Sequence, residues 1–89
     1  MKRSADFLLR QVAGEQVLVP VGTAAVSFPG MISVNDSGSY IWQLLEQEQT
    51  MDALVEAMTQ RYDVDADQAR QDTEAFVKKL SKVQAIIME

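Results

Sequence analysis

Residues Asn35 to Asp63 contain N-D-S-G-S-Y-I-W-Q-L-L, a short polar link, and T-M-D-A-L-V-E-A-M-T-Q-R-Y-D, which predicts two brief amphipathic helices in close succession. In the first, Ile41, Leu44 and Leu45 share one face, with Trp42, the only tryptophan, at its margin. Asp36 is placed to cap this helix, because its carboxylate can accept from the free N–H groups of the first turn. Glu46 to Gln49 breaks the pattern. Thr50 then caps a second helix that carries Leu54, Val55 and Met58 inward and closes at Tyr62. The segment holds no nucleophile–base pair, metal-ligand set or phosphate loop, so it reads as a scaffold whose function lies in the surfaces it supports.

A third, longer helix follows. Asp65 with Gln68 three residues on resembles a capping box, and the helix runs from about Ala66 to about Lys82. Its apolar seam is Ala69, Thr73, Phe76, Val77, Leu80 and Val83, while Lys78, Lys79 and Lys82 suit the negative end of its macrodipole. Ala85-Ile86-Ile87-Met88 is apolar and packs back as a short strand or extension.

Upstream lie short segments rich in β-formers. Phe7 to Val12 and Gln16 to Val21 are separated by Ala13-Gly14-Glu15, a three-residue connection that suggests a hairpin. Pro20 has no N–H, so its strand lies at an edge or ends there. Val21 to Phe28 extends the hairpin or forms a loop, and Pro29-Gly30 marks a turn. Met31-Ile32-Ser33-Val34 reads as a third strand, Ile32 and Val34 alternating with Ser33. Strands followed by helices imply an α+β fold: a small three-stranded antiparallel sheet followed by three α-helices that cover one face. The same order describes a winged helix-turn-helix. No repeat or linker divides residues 1–89, which read as a single domain.

Composition narrows the function. With 47% apolar and 24% charged side chains, the chain sits in the ordinary globular range. It has no cysteine and no histidine, which removes thiolate chemistry, the commonest neutral-pH base and the commonest zinc ligand. A non-enzymatic protein without cofactor or metal is the expectation. Thirteen acidic against eight basic side chains leave a net charge of −5, which opposes binding to the phosphate backbone of nucleic acid. No apolar run approaches a membrane span and no secretory signal opens the chain, so a cytoplasmic protein without membrane attachment is expected. Asp63, Asp65 and Asp67, with Glu74 in the twelfth place, echo a calcium loop, but Gln68 stands where the sharp turn wants glycine. Trp42, beside Ile41 and Leu45, belongs to the core rather than to a stacking platform.

Asn35, Gly38, Ile41-Trp42-x-Leu44-Leu45, Thr50, Leu54-Val55, Met58, Tyr62-Asp63, Asp72, Phe76 and Leu80 resemble, in order and spacing, the PqqD-like family of precursor-peptide recognition elements, over roughly residues 5 to 83. The family often ends its third helix with Gly-Leu where this chain has Val83-Gln84-Ala85, and Gly22 to Gly30 is longer than its usual link. The resemblance implies a non-catalytic partner. Such domains bind the leader segment of a ribosomally made precursor peptide and hold it for a modifying enzyme, often a radical S-adenosylmethionine enzyme. It also implies that the leader adds a strand to the third strand and rests beside the third helix. Carried onto this sequence, the edge is Met31, Ile32, Ser33 and Val34. Around Phe76, Asp72, Ala75 and Lys79 form one flank of the helix and Thr73 and Val77 the other; the polar flank is taken as the groove rim. Lys79 there can meet an acidic leader side chain and Asp72 a basic one.

Two other readings compete. A winged-helix DNA-binding protein shares the helix order, but Asp65, Asp67, Asp72 and Glu74 on the third helix would repel DNA. A homodimer or other interaction subunit could use the same free strand edge.

Overall fold

The computed structural model describes residues 1–27 and 30–87; the Pro29 half of the expected turn, Phe28 and Met88 lie outside the described residues. Strands β2 (Phe7–Val12) and β3 (Glu15–Pro20) form an antiparallel hairpin in which Val12 faces Glu15. Glu15 has joined the strand, so the connection is Ala13-Gly14, two residues rather than the expected three. Both have positive φ, 53° and 83°, the left-handed pair that a type I′ turn needs to match strand twist. Strand β4 (Ile32–Val34) pairs antiparallel with the other side of β3, giving the order β2-β3-β4. Met31, expected to open that strand, precedes it.

Proline fixes which backbone groups face where. Pro20 cannot donate and stands opposite Phe7, while the neighbouring Val21 N–H donates to the Asp6 carbonyl at 2.7 Å. Bonded and open pairs alternate along an antiparallel ladder. Val17 and Val19 therefore bond toward β2, and Gln16 and Leu18 toward β4. Leu18 faces Ile32, Gln16 faces Val34, and Val17 faces Ser33. The N–H and C=O of Ser33 consequently point away from the sheet. On the opposite edge, the same alternation turns the backbone groups of Leu9 and Gln11 outward.

Two features were not foreseen. A short helix, α1 (Thr23–Ser27), occupies most of the stretch that sequence left between hairpin and loop, entered through Gly22 at φ 60°. Strand β1 (Lys2–Arg3) pairs antiparallel with β5 (Ile86–Ile87), fastened by Arg3 N–H to the Leu45 carbonyl (2.9 Å) and Ser4 N–H to the Ala85 carbonyl (2.8 Å). The apolar tail thus packs back as a strand.

The helices α2 (Asp36–Leu44), α3 (Met51–Arg61) and α4 (Ala66–Lys82) follow. Thr50 and Asp65 cap as expected, accepting from Ala53 N–H at 3.1 Å and Gln68 N–H at 2.8 Å. The Gln68 side chain donates to Asp72 rather than back to the cap, so the capping box is half made. At α2 the cap is Asn35 and not Asp36: Asn35 Oδ1 accepts from Gly38 N–H at 2.8 Å. Asp36 is the first helical residue, where its charge meets the positive end of the dipole.

Phe7, Leu18, Ile32, Val34, Ile41, Trp42, Leu45, Leu54, Met58 and Leu80 share one buried cluster between sheet and helices. Trp42 is inside it, at 2% exposure, rather than at a margin. On α4 the buried stripe is Ala69, Thr73, Val77 and Leu80, which leaves Phe76 half-buried at its side instead of at its centre. Thr73 Oγ1 has no hydrogen-bond partner among the described residues, a cost the apolar contacts around it must offset.

The cap assignment has a direct test. Asn35→Ala should lower the unfolding free energy in urea by about 1 kcal/mol. Asp36→Ala should lower it by only about 0.3 kcal/mol, through the dipole. Equal losses, or the reverse order, would return the cap to Asp36.

Candidate functional site

The edge of β4 is built by alternation. Ile32 and Val34 turn into the core at 6% and 8% exposure, so Ser33 turns outward and its side chain is exposed. Their backbones follow the opposite rule. Those of Ile32 and Val34 are consumed by β3, and the outward groups of the strand belong to Ser33. Of the four expected edge residues, Ser33 supplies the edge, Ile32 and Val34 supply its anchorage, and Met31 stands before the strand.

Helix α4 runs beside this edge with Phe76 and Lys79 on one side, three residues apart. Lys79 Nζ donates to the Ser33 carbonyl at 3.4 Å, a long bond from an exposed side chain. Phe76 comes close because Gly38 has no side chain. A Cβ there would stand 2.8 Å from Val34 Cγ1, 3.1 Å from Phe76 Cε1 and 3.2 Å from Asn35 Oδ1. At this point β4, α2 and α4 meet, and Asn35 holds the glycine by its N–H.

Two depressions share Asn35, the residue that follows β4. One, of about 230 Å³, is lined by Asn35, Ser37, Gly38, Ile41, Asp72, Ala75 and Phe76. The other, of about 440 Å³, lies toward the hairpin turn and is lined by Gly14, Glu15, Gln16, Ser33, Val34, Asn35 and Asp36. Of the expected site residues, Ser33 and Val34 therefore line one depression, Asp72, Ala75 and Phe76 the other, and Lys79 reaches Ser33 from α4. Met31 adds a 59% exposed side chain outside both depressions. Sequence reasoning passed over Ser37, Gly38 and Ile41 as lining residues. The Asn35-x-x-Gly38 spacing was the available signal, since a cap side chain reaches the N–H three residues on.

The charges divide along the helix. Lys79 stands at one end of the exposed flank and Asp72 seven residues away, roughly 10 Å along the axis. Asp72 accepts from Gln68 Nε2 at 2.9 Å, and Lys79 makes no ion pair among the described residues. Elsewhere on α4, Arg70 pairs with Asp52 at 2.6 Å and ties the helix to α3; that hydrogen bond raises the guanidinium above its ordinary pKa. Asp65, part of the calcium-loop echo, is occupied as a helix cap, and no group of three or more acidic side chains among the described residues could hold a metal. No described helix is long and apolar enough to cross a membrane.

Gly38→Ala tests the corner. The added methyl must displace Val34 and Phe76, costing about 1–3 kcal/mol, against a helix-propensity gain of about 1 kcal/mol. A net loss of stability, with amide shifts at Val34 and Phe76, is expected by urea titration and NMR. A gain would show that the three elements do not meet so closely.

The family model described as "Coenzyme PQQ synthesis protein D (PqqD)" matches residues 15–86, from β3 to the start of β5. The solved structure "TbiB1 in Complex with the TbiA(beta) Leader Peptide" is 26% identical, with a TM-score of 0.73 over 96% of this chain and 93% of that one. "Lasso peptide synthetase B1 complexed with the leader peptide" is similar in fold, with 19% identity and a TM-score of 0.71 over 99% of this chain and 96% of that one. No curated protein sequence matches. With the family match spanning the free strand, the Asn35–Gly38 corner and all of α4, the chain belongs to the PqqD family.

Proposed function

We propose that this protein is a non-catalytic peptide-binding module that captures the leader segment of a ribosomally synthesised precursor and presents it to a modifying enzyme. A radical S-adenosylmethionine enzyme is among the candidates for that enzyme. The observation that carries the reading is the outward N–H and C=O of Ser33, with α4 reaching the strand through Lys79 and lining the depression beyond Asn35. An extended peptide can join that edge as a fourth strand and lay alternate side chains against Phe76 and Ala75. The relatives solved with leader peptides support the same role.

Magnitudes divide the work. Edge hydrogen bonds contribute a net ~0.5–1.5 kcal/mol each, and Ser33 offers only its N–H and C=O. A micromolar complex needs about −8 kcal/mol after the cost of ordering the peptide. Two or three apolar anchors in the depressions must therefore supply most of the affinity. In the free protein Lys79 occupies the Ser33 carbonyl. An incoming leader amide displaces it, which frees the ammonium for an acidic leader side chain, a pair contributing only about 0.2–1 kcal/mol.

Ser33→Pro removes the outward N–H while leaving the bonds of Ile32 and Val34 to β3 intact. The variant should fold, by its amide spectrum, and bind the leader of a precursor encoded beside it at least about tenfold more weakly by calorimetry, the cost of one edge bond and a clash. Unchanged affinity in a folded Ser33→Pro protein would sink strand addition at β4.

A further inference from the structure

The sheet has a second free edge, and it is chemically unlike the first. Along β2 the backbone groups of Leu9 and Gln11 face outward, two residues apart, and no described residue bonds to them. Beside them lies a depression of about 720 Å³, larger than either at β4, lined among others by Lys2, Arg3, Leu9, Arg10, Trp42 and Glu46. Three of the eight basic side chains of a chain with net charge −5 gather here against one carboxylate. Arg3 is committed: it lies 5.7 Å over the Trp42 ring, donates to the Trp42 carbonyl at 3.3 Å and approaches Glu46 at 3.9 Å. Lys2 and Arg10 are exposed and make no ion pair among the described residues.

We propose that the β2 edge and the groove over Trp42 dock an acidic, extended segment of a partner protein. A strand added to Leu9 and Gln11 satisfies the open backbone groups. Carboxylates at alternate positions along it reach Arg10 on one side and Lys2 beyond the strand's end. A second copy of this chain is the poorer occupant. Pairing β2 with β2 sets Arg10 near Arg10, and pairing β2 with β4 brings these cations toward Lys79. The inference does not rest on leader binding at β4. Where both hold, the protein carries a peptide on one edge and its partner, the modifying enzyme, on the other.

The test is an NMR titration of the labelled protein with a capped heptapeptide of alternating Glu and Val, and with its Gln-for-Glu counterpart. The acidic peptide should shift Leu9, Gln11 and the Trp42 indole, and the neutral one should bind about tenfold more weakly, since two ion pairs are lost. Gln11→Pro, which removes an outward donor from an exposed position, should abolish the shifts with the fold intact. The double variant Lys2→Glu, Arg10→Glu should do the same, whereas Ser33→Pro should leave them unchanged. Shifts at Met31 and Ser33 instead, equal binding of the neutral peptide, or no response at millimolar peptide would overturn the proposal. Self-association that grows with protein concentration and resists the peptide would overturn it as well.

Discussion

Everything about this surface depends on how the central strand spends its backbone. β3 has two neighbours, and each of its residues can bond to only one of them. Pro20 cannot donate, and Val21 bonds to Asp6, so the phase of that alternation is fixed at one end of the strand and propagates to the other. The result reaches β4, where Ser33 is the strand residue whose N–H and C=O turn away from β3. It also reaches β2, where Leu9 and Gln11 are left open. A slip of one residue would bury Ser33, expose Ile32 and Val34, and destroy core and site together.

The second requirement is closeness. An open edge alone attracts any extended chain, which is a liability as much as a function. Selectivity needs a wall, and α4 can stand close enough to provide one because Gly38 lacks a side chain where Val34, Phe76 and Asn35 converge. Asn35 has two duties at that corner. Its side chain holds the first turn of α2, and its extended backbone, at φ −83° and ψ −179°, carries the chain out of β4. The helix is thus positioned by the strand whose edge it borders. Phe76, half-buried, supplies apolar surface at the rim while Thr73 and Val77 fill the core behind it.

Much of this was legible in the sequence, and the misses share a cause. The buried stripe Ala69, Thr73, Val77 and Leu80 of α4, the caps at Thr50 and Asp65, and the alternation of Ile32, Ser33 and Val34 are local patterns, and each emerged with its expected element. Phe76 moved from the centre of the seam to its side. The polar flank Asp72, Ala75 and Lys79 was likewise separable from Thr73 and Val77 by helical spacing alone. The pairing of β1 with β5 joins two-residue strands from opposite ends of the chain, too short to show a period. The choice between Asn35 and Asp36 as cap could not be read from residue type, since both side chains accept well. It was settled by where β4 ends. The contact of Lys79 with Ser33 links residues 46 apart and depends on the angle of α4 to the sheet, which no local pattern encodes. Gly38 was visible as a residue but not as a contact.

Amide hydrogen exchange at β4, with and without saturating leader peptide, tests the central claim most directly. In the free protein Ile32 and Val34 should already be protected by β3, while Ser33 exchanges fast. Strand addition predicts that leader slows Ser33 strongly and leaves its two neighbours nearly unchanged. A Ser33 amide that still exchanges fast at saturation, or protection appearing at Leu9 and Gln11 instead, would place the peptide elsewhere and contradict the mechanism.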